Sequence, residues 1–461
     1  MAGLIVAREK PARLSEPPRA RMELVSFDGQ VRRRQLVTRP DRYRYLETLE
    51  GGQRRIASGG GYSYAAAGFG AAESIVQDCR AFDRILAFDD RQGLLECEAG
   101  TTLGKIHAVA GPRGWYLPVQ PGYPRITVGG CIAADVHGKN QFQDGNFRNV
   151  VKSLQLFHPR YGVLQVDRER NAEAFDLTCG GLGLTGQILS AQLQLARLPG
   201  QRVRVRRIRI SRFEEILRLL EEHAPRATFI YTWHDFSARG AAFGRGFLYA
   251  GEFLSGSMEK NANRDSRPVA IDAQNRGRWR LQLLNALTAR QFNAAYGLWQ
   301  SLSTQEREMG IFPFLFPAAR KVAYFKLFGA RGFREYQFLV PRESFGRLAE
   351  SLRRHQEVNR TAITLASCKL FRGEQSQLRF DGDGICIALD FPSGPRTDRL
   401  FPFLDDLVRE LGGWPNLVKD SRLPREVVRD CYPEYESFRQ ALRRFDPERL
   451  YVSELSERLD L

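Results

Sequence analysis

No stretch of this chain approaches the ~20 consecutive apolar residues that a membrane-spanning helix needs, although 43% of its 461 residues are hydrophobic. The seven cysteines (79, 97, 131, 179, 368, 386 and 431) are odd in number and scattered, and none forms a CxxC pair. That pattern fits neither a disulfide framework nor a zinc ribbon. The six histidines form no HExxH and no HxH, so no metal is expected. The N-terminal residues MAGLIVAREKPARLSEPPRAR carry only a short apolar run before charge and proline return. A signal peptide needs a longer one, and the expected location is cytoplasmic, with the inner membrane face as a peripheral site. Internal repeats and low-complexity tracts are absent. What is in excess is positive charge, a formal +16 supplied mostly by arginine. Such a surplus suits phosphate, an anionic membrane or nucleic acid. In RVRVRRIRI (202–210) the basic residues alternate with apolar ones, which is the period of a half-exposed strand and not of a DNA-reading helix. No nucleic-acid partner is expected.

Glycine is placed with more purpose. In PGYPRITVGGCIAADVHGKN (121–140) a proline/glycine turn leads to Gly129-Gly130. Small residues follow, and then His137 stands beside Gly138, Lys139 and Asn140. Glycine pairs let backbone approach a ligand where a Cβ would intrude, and the segment reads as a flat wall against a large planar cofactor. SGGGYSY (58–64) follows a strand and forms a nest of backbone N–H groups suited to a pyrophosphate. It is neither a dinucleotide fingerprint opening a helix nor a P-loop. GGLGLTG (180–186) is a third glycine loop at a strand edge. Together the three suit an extended dinucleotide lying across a mixed sheet.

Periodicity divides the chain. Up to residue 198 the strands are short and broken by turns. Beyond it RVRVRRIRI, ATFIYTWHDF, GRGFLYAGEF, REYQFLVP, ITLASCKLF and GICIALDFP alternate as longer strands. Amphipathic helices FEEILRLLEEH, RLAESLRRHQ and RLFPFLDDLVRELGG lie between them. The expectation is an α+β, two-domain protein: a loose leader (1–21), a cofactor domain (22–198, completed by 415–461), and a substrate domain (199–414) built on an antiparallel sheet with helices on one face. A polar, mobile linker is expected between Gly256 and Arg278.

These residues resemble the flavoproteins of the vanillyl-alcohol oxidase/p-cresol methylhydroxylase superfamily, with their PCMH-type FAD-binding domain. Within it they are most similar to the decaprenylphosphoryl-β-D-ribose 2-oxidases, the flavin half of a sugar epimerase. The likeness rests on Gly59–Tyr64, Pro121-Gly122, Thr127–Gly130, Asp135–Asn140 and Gly183–Gly186, and in the second half on Tyr336–Phe338, Lys369–Phe371, Asp390–Pro392 and Lys419–Arg422. HGKN read with KDSR is its narrowest part. The resemblance implies FAD held by Gly59, Gly60, Gly61, Tyr62, Ser63, Tyr64, Gly122, Thr127, Gly129, Gly130, Ala134, His137 and Ile188. It implies Lys419 as the active-site cation or base, with His137 and Tyr64 as further catalytic candidates. Gln337, Lys369, Trp233 and Ala388 fall on its substrate side, with Asp235 a weaker candidate. Several relatives attach flavin through a histidine just after the glycines; Tyr62 stands there, so the FAD is expected to be non-covalent. Ser58 and Tyr62 replace a loop arginine, Ala65-Ala66 replace Gly-Asp, and Ala388 replaces the cysteine that nitroaromatic inhibitors trap. Cys386 lies two residues before it on the same strand face.

The implied activity is oxidation of a sugar hydroxyl to a ketone, the first half of an epimerisation on a polyprenyl-phosphate-linked or other glycosyl substrate. A short-chain NAD(P)H-dependent reductase would be the partner acting on the keto product. The alternatives are an alditol, free-sugar or natural-product alcohol oxidase of the same fold, and a basic binding protein without redox chemistry.

Overall fold

The computed structural model describes residues 18–47, 52–256, 282–317 and 322–461. The expected leader lies outside them as far as residue 17, and the expected linker does so from residue 257. A strand, Arg19–Val25, already begins inside the stretch read as leader and pairs antiparallel with Arg32–Thr38.

The first half builds two sheets. In the four-stranded one the order is Arg19–Val25, Arg32–Thr38, Ile75–Asp78, Arg55–Ser58, and the last two pairings are parallel. Ile75–Asp78 lies between neighbours and is buried throughout, so it shows a continuous run in place of an alternation. The tail of the chain closes this sheet. Arg55 N–H donates to Leu450 O at 2.7 Å, and Val452 N–H donates to Arg55 O at 3.0 Å. The five-stranded antiparallel sheet runs Ile85–Asp89, Leu94–Glu98, Gln187–Gln194, Val151–His158, Gly162–Asp167.

The second half forms one eight-stranded antiparallel sheet. Its order is Glu306–Gly310, Arg202–Ile210, Gly246–Leu254, Phe229–His234, Leu365–Phe371, Gly384–Pro392, Phe333–Val340, Trp414–Pro415. In RVRVRRIRI the pair Arg206-Arg207 interrupts the alternation, so Val203 and Val205 are buried on one face and Ile210 on the other, while Arg204 and Arg206 meet Glu308 and Glu306 across the edge, each at 3.6 Å. Helices Ile216–His223, Phe345–Asn359 and Pro395–Glu410 cover one face. Ile216, Leu220, Leu348, Leu352, Leu400 and Leu404 pack there against Ile230, Phe338 and Ile387 in one core.

The class is therefore α+β, as the periodicity suggests. Two elements of the second half were not anticipated: the helix Ala286–Leu302 and the edge strand Glu306–Gly310. The helix lacks a charged face, which is the usual sequence signature of a surface helix. Among the described residues no helix is long and apolar enough to cross a membrane.

Candidate active site

Side chains alternate across a strand, so each strand of the large sheet offers one set of residues to the helices and the other set to the first half of the molecule. Tyr336, Phe338, Ile387, Leu389, Ala366 and Cys368 go to the helical core. The residues between them make the opposite face. Gln337 pairs with Ala388, and Ala388 with Ser367; Glu335 pairs with Asp390, and Cys386 with Lys369. Because His234 pairs with Ala366, Trp233 falls on the same row beside Ser367. A polar row is thus built into a sheet whose other side is hydrophobic.

The row connects through Glu335 and Lys419, 3.3 Å apart, to a cavity of about 410 Å³. It is lined by Gly59, Gly60, Gly61, Tyr62, Ser63, Tyr64, Gly122, Thr127, Gly129, Gly130, Ala134 and Ile188, with Lys419 at one end. The SGGGYSY loop leaves strand Arg55–Ser58, and Gly61 takes φ +74°, a conformation that favours glycine. Among the described residues, no protein acceptor takes the backbone N–H groups of Gly60, Gly61 and Tyr62. A run of open N–H groups along a cavity wall suits an anion. A Cβ on Gly59 would stand 2.2 Å from Thr127 Oγ1. That hydroxyl also accepts from Gly130 N–H at 3.4 Å and caps the helix Val128–Ala133. A Cβ on Gly129 would meet Ala99 Cβ at 3.0 Å. Glycine is required at both places for the wall to stay flat, and the whole suits a planar ring with a pyrophosphate arm.

At the cavity's end two distant segments are tied together. Val418 O accepts both Tyr64 N–H (3.2 Å) and Ala65 N–H (3.3 Å). The same turn is held from the sheet by Asn416, whose backbone N–H donates to Gln337 O at 2.8 Å and whose amide donates to Gln337 Oε1 at 2.7 Å. The other residues of KDSR lock the turn. Arg422 bridges Asp420 at 2.7 Å and Asp405 at 2.7 and 3.0 Å, and Ser421 Oγ donates to Asp28 at 2.8 Å. Lys419 is left pointing into the site. Its Nζ lies 3.9 Å from the centre of the Tyr64 ring and 3.3 Å from Glu335 Oε1.

Glu335 belongs to a chain of polar groups. Its cross-strand neighbour Asp390 is buried and accepts from Tyr324 OH at 3.0 Å, and Tyr324 OH in turn meets Thr364 Oγ1 at 2.9 Å. Burial, and then the charge of Glu335, hold the Asp390 carboxyl well above the usual carboxylate range. The Glu335 carboxyl stands between Asp390 and Lys419. Lys369 is half-buried on the neighbouring strand, and desolvation lowers its ammonium pKa, with the nearby Lys419 adding to the effect.

His137 does not line the cavity; Val136 does. The imidazole sits behind it, edge-on to Phe371 with ring centres 4.8 Å apart. Its Nε2 is 3.4 Å from Gln337 Nε2. With Asn416 donating to Gln337 Oε1, the Gln337 amide turns its NH₂ to His137, so Nε2 accepts and the proton is assigned to Nδ1. Burial first, and then Lys369 and Lys419, push the imidazole pKa well below its ordinary value. His137 is neutral and is a poor acceptor of a full proton. In HGKN only this histidine reaches the site. Lys139 donates to Phe314 O, and Asn140 donates to Pro118 O at 2.7 Å.

Of the substrate-side candidates, Gln337 and Lys369 stand close to Lys419 and Glu335, and Ala388 lies between Gln337 and Ser367. Trp233 is on the same row but farther out, against Phe247 and Tyr296. Asp235 is occupied by Ser237 and Arg245. Glu335, Tyr324 and Asn416 were not singled out from sequence, and Asp390 was read only as part of a motif. The signal for two of them was present, because Glu335 and Asp390 lie two residues from Gln337 and Ala388 and so share their face.

Comparison with known proteins agrees with this geometry. Residues 50–165 match a family described as an FAD binding domain. The chain is 29% identical over 429 residues to the decaprenylphosphoryl-beta-D-ribose oxidase of Mycolicibacterium smegmatis, covering 89% of this chain and 90% of that protein. It is 30% identical over 373 residues to an uncharacterized protein in the mprA 5' region of Streptomyces coelicolor, covering 78% of this chain and all of that protein. It is also 22% identical over 429 residues to an L-gulono-1,4-lactone dehydrogenase of Mycobacterium tuberculosis, covering 88% of this chain and 90% of that one. The chain belongs to the vanillyl-alcohol oxidase/p-cresol methylhydroxylase superfamily of FAD-dependent oxidoreductases, and FAD is its cofactor.

Proposed function

We propose that this flavoenzyme oxidises a secondary hydroxyl of a polyprenyl-phosphate-linked or other glycosyl substrate to a ketone, the first half of an epimerisation. The observation that carries the reading is Lys419, held between the Tyr64 ring and Glu335 at the end of the cavity. Bound FAD supplies a two-electron acceptor for the carbinol hydride. The protein must then orient the carbinol and remove the hydroxyl proton. Lys369 offers a donor that fixes a sugar hydroxyl on the polar row, and Gln337, held by Asn416 and His137, keeps the strand and the Lys419 turn in place. Lys419 directs a cation at the substrate oxygen. Lys419 first releases a proton to Glu335 Oε1, 3.3 Å away, and the amine so formed accepts the hydroxyl proton as the substrate oxygen becomes a carbonyl. The net change is one proton moved from substrate to carboxylate. General acid–base assistance of this kind contributes ~10²–10⁴-fold.

The FAD is held without a covalent bond in this reading. Tyr62 stands in the cradle, and among the described residues no histidine lines the cavity. Cys79 does line it, but burial pushes its thiol up to about 12, where thiolate is scarce. A keto-sugar product calls for an NAD(P)H-dependent short-chain reductase as the next enzyme.

The test is anaerobic mixing of holoenzyme with a panel of free sugars, sugar phosphates and polyprenyl-linked sugars, followed at the flavin absorbance. Bleaching by a lipid-linked glycosyl phosphate is expected. Bleaching by free sugars or alditols alone would select the alternative substrate class, and a protein that every sugar leaves oxidised would refute sugar oxidation.

A further inference from the structure

The helix Ala286–Leu302 has two faces of different character. The inner one is firmly tied. Asn293 Nδ2 donates to Ile363 O at 3.1 Å, and Tyr296 packs edge-on to Trp233 with ring centres 4.7 Å apart. Gln300 Oε1 accepts from Tyr249 OH at 3.1 Å and from Arg207 at 3.2 Å. The helix therefore closes the outer end of the polar row, where Trp233 lies.

The outer face is apolar and open. Six of the ten exposed large apolar side chains among the described residues fall within this one stretch: Leu283, Leu287, Phe292, Leu298, Trp299 and Leu302. Leu287 is 66% exposed and Leu302 79%. At 100° per residue Leu287, Leu298 and Leu302 fall on one stripe with Trp299 at its border, along a helix about 25 Å long. Patches of this kind on a soluble surface mark an interaction site.

Charge says what kind of partner fits. Residues 282–305 contain no aspartate or glutamate, and Arg290 is their one charged residue. At the N-terminal end the exposed Lys326 precedes Leu327, whose carbonyl accepts from Leu283 N–H at 3.0 Å. At the C-terminal end the next charged residue is Glu306, which pairs with Arg206 across the sheet edge at 3.6 Å. An apolar stripe flanked by the exposed Arg290 and Lys326, with its nearest acid Glu306 already paired to Arg206, matches an anionic lipid surface, with leucine and tryptophan at the acyl boundary and the cations among phosphates. A second copy of the chain would bring cation against cation, on a molecule already carrying +16.

We propose that the outer face of helix Ala286–Leu302 docks into the interface of an anionic phospholipid bilayer, which places the outer end of the site's polar row at the lipid surface. Docking does not depend on which substrate is oxidised. The experiment is co-sedimentation of FAD-loaded, full-length protein with phosphatidylcholine vesicles, with and without phosphatidylglycerol. Binding is expected only with the anionic lipid, and salt should weaken it. The double variant L298D/L302D should bind about tenfold more weakly or worse, with its flavin spectrum and thermal midpoint unchanged. If that variant misfolds, L298Q/L302Q is read in its place and should also lose binding. Failure of the wild type to bind anionic vesicles, or equal binding by a folded variant, overturns the proposal. So does a wild-type dimer in sedimentation that L298D/L302D dissociates. Because no turnover is measured, failure here leaves sugar oxidation standing, and an inert substrate panel leaves docking standing.

Discussion

Lys419 Nζ lies 3.3 Å from Glu335 Oε1, a pairing between residues 84 positions apart that sets an ammonium above the Tyr64 ring at the end of the flavin cradle. Asp390 stands behind Glu335 on the adjacent strand. An amine and two carboxyl groups thus stand in series, and burial raises the pKa of the innermost, Asp390.

Replacing Lys419 with alanine is expected to lower kcat by about 10²–10⁴-fold, the usual contribution of a positioned proton-transfer group. The turn is held by Asn416, Asp420 and Arg422, so the variant should keep its FAD. Absorbance of the purified variant and its steady-state kinetics check both halves.

Glu335→Gln keeps the shape but removes the carboxylate. Lys419 is then left near Lys369 without its anion, which disfavours the ammonium. The alkaline limb of kcat should move to lower pH, whereas a residue with a purely structural role would lower kcat equally at all pH values. A pH–rate profile distinguishes the two.

Gly59→Ala would place a Cβ 2.2 Å from Thr127 Oγ1 and disturb the hydroxyl that caps Val128–Ala133. The variant should purify with little flavin and regain less than the wild type on incubation with excess FAD. The ratio of flavin to protein absorbance reports this directly.

Acid or heat denaturation should release the flavin into the supernatant as free FAD, because Tyr62 occupies the loop and the Cys79 thiol is held near 12. Yellow colour remaining with the precipitate would contradict this.

Asp381 offers a stability test. Burial raises its carboxyl to about 7, against opposing hydrogen bonds such as that from Gly382 N–H. An acid whose folded pKa lies above its unfolded value contributes stability that is fully present below the unfolded pKa, near 4, and lost as pH rises towards 7. The melting temperature of Asp381→Asn should therefore gain on the wild type between about pH 4 and 7 and hold a constant lead above that. Paired melts across this range measure it.

The strands of the second half were legible because their alternation is long. RVRVRRIRI buries Val203 and Val205 on one face and, past the Arg206-Arg207 pair that shifts its phase, Ile210 on the other. The helix Ala286–Leu302 was not legible, because its outer face is apolar where a surface helix normally shows charge. The glycine cradle was readable as a local device, with one correction to its far end: His137 stands behind the cavity wall, against Gln337 and Phe371, and the neighbouring Val136 lines the cavity.

What the chain determined by itself is local: where backbone must bend without a Cβ, which strands have two unlike faces, and which loop presents open N–H groups. Those features suffice for a dinucleotide cofactor, because a pyrophosphate is bound by neighbouring residues of one loop. The chemistry at the other end depends on residues drawn from strand Phe333–Val340, strand Gly384–Pro392 and the turn at Asn416–Arg422. Only the register of those strands, and the hydrogen bonds from Asn416 to Gln337, set Lys419 against Glu335. The pKa shifts then follow from burial, which is a property of the assembled molecule: it raises the Asp390 carboxyl and lowers the His137 imidazole.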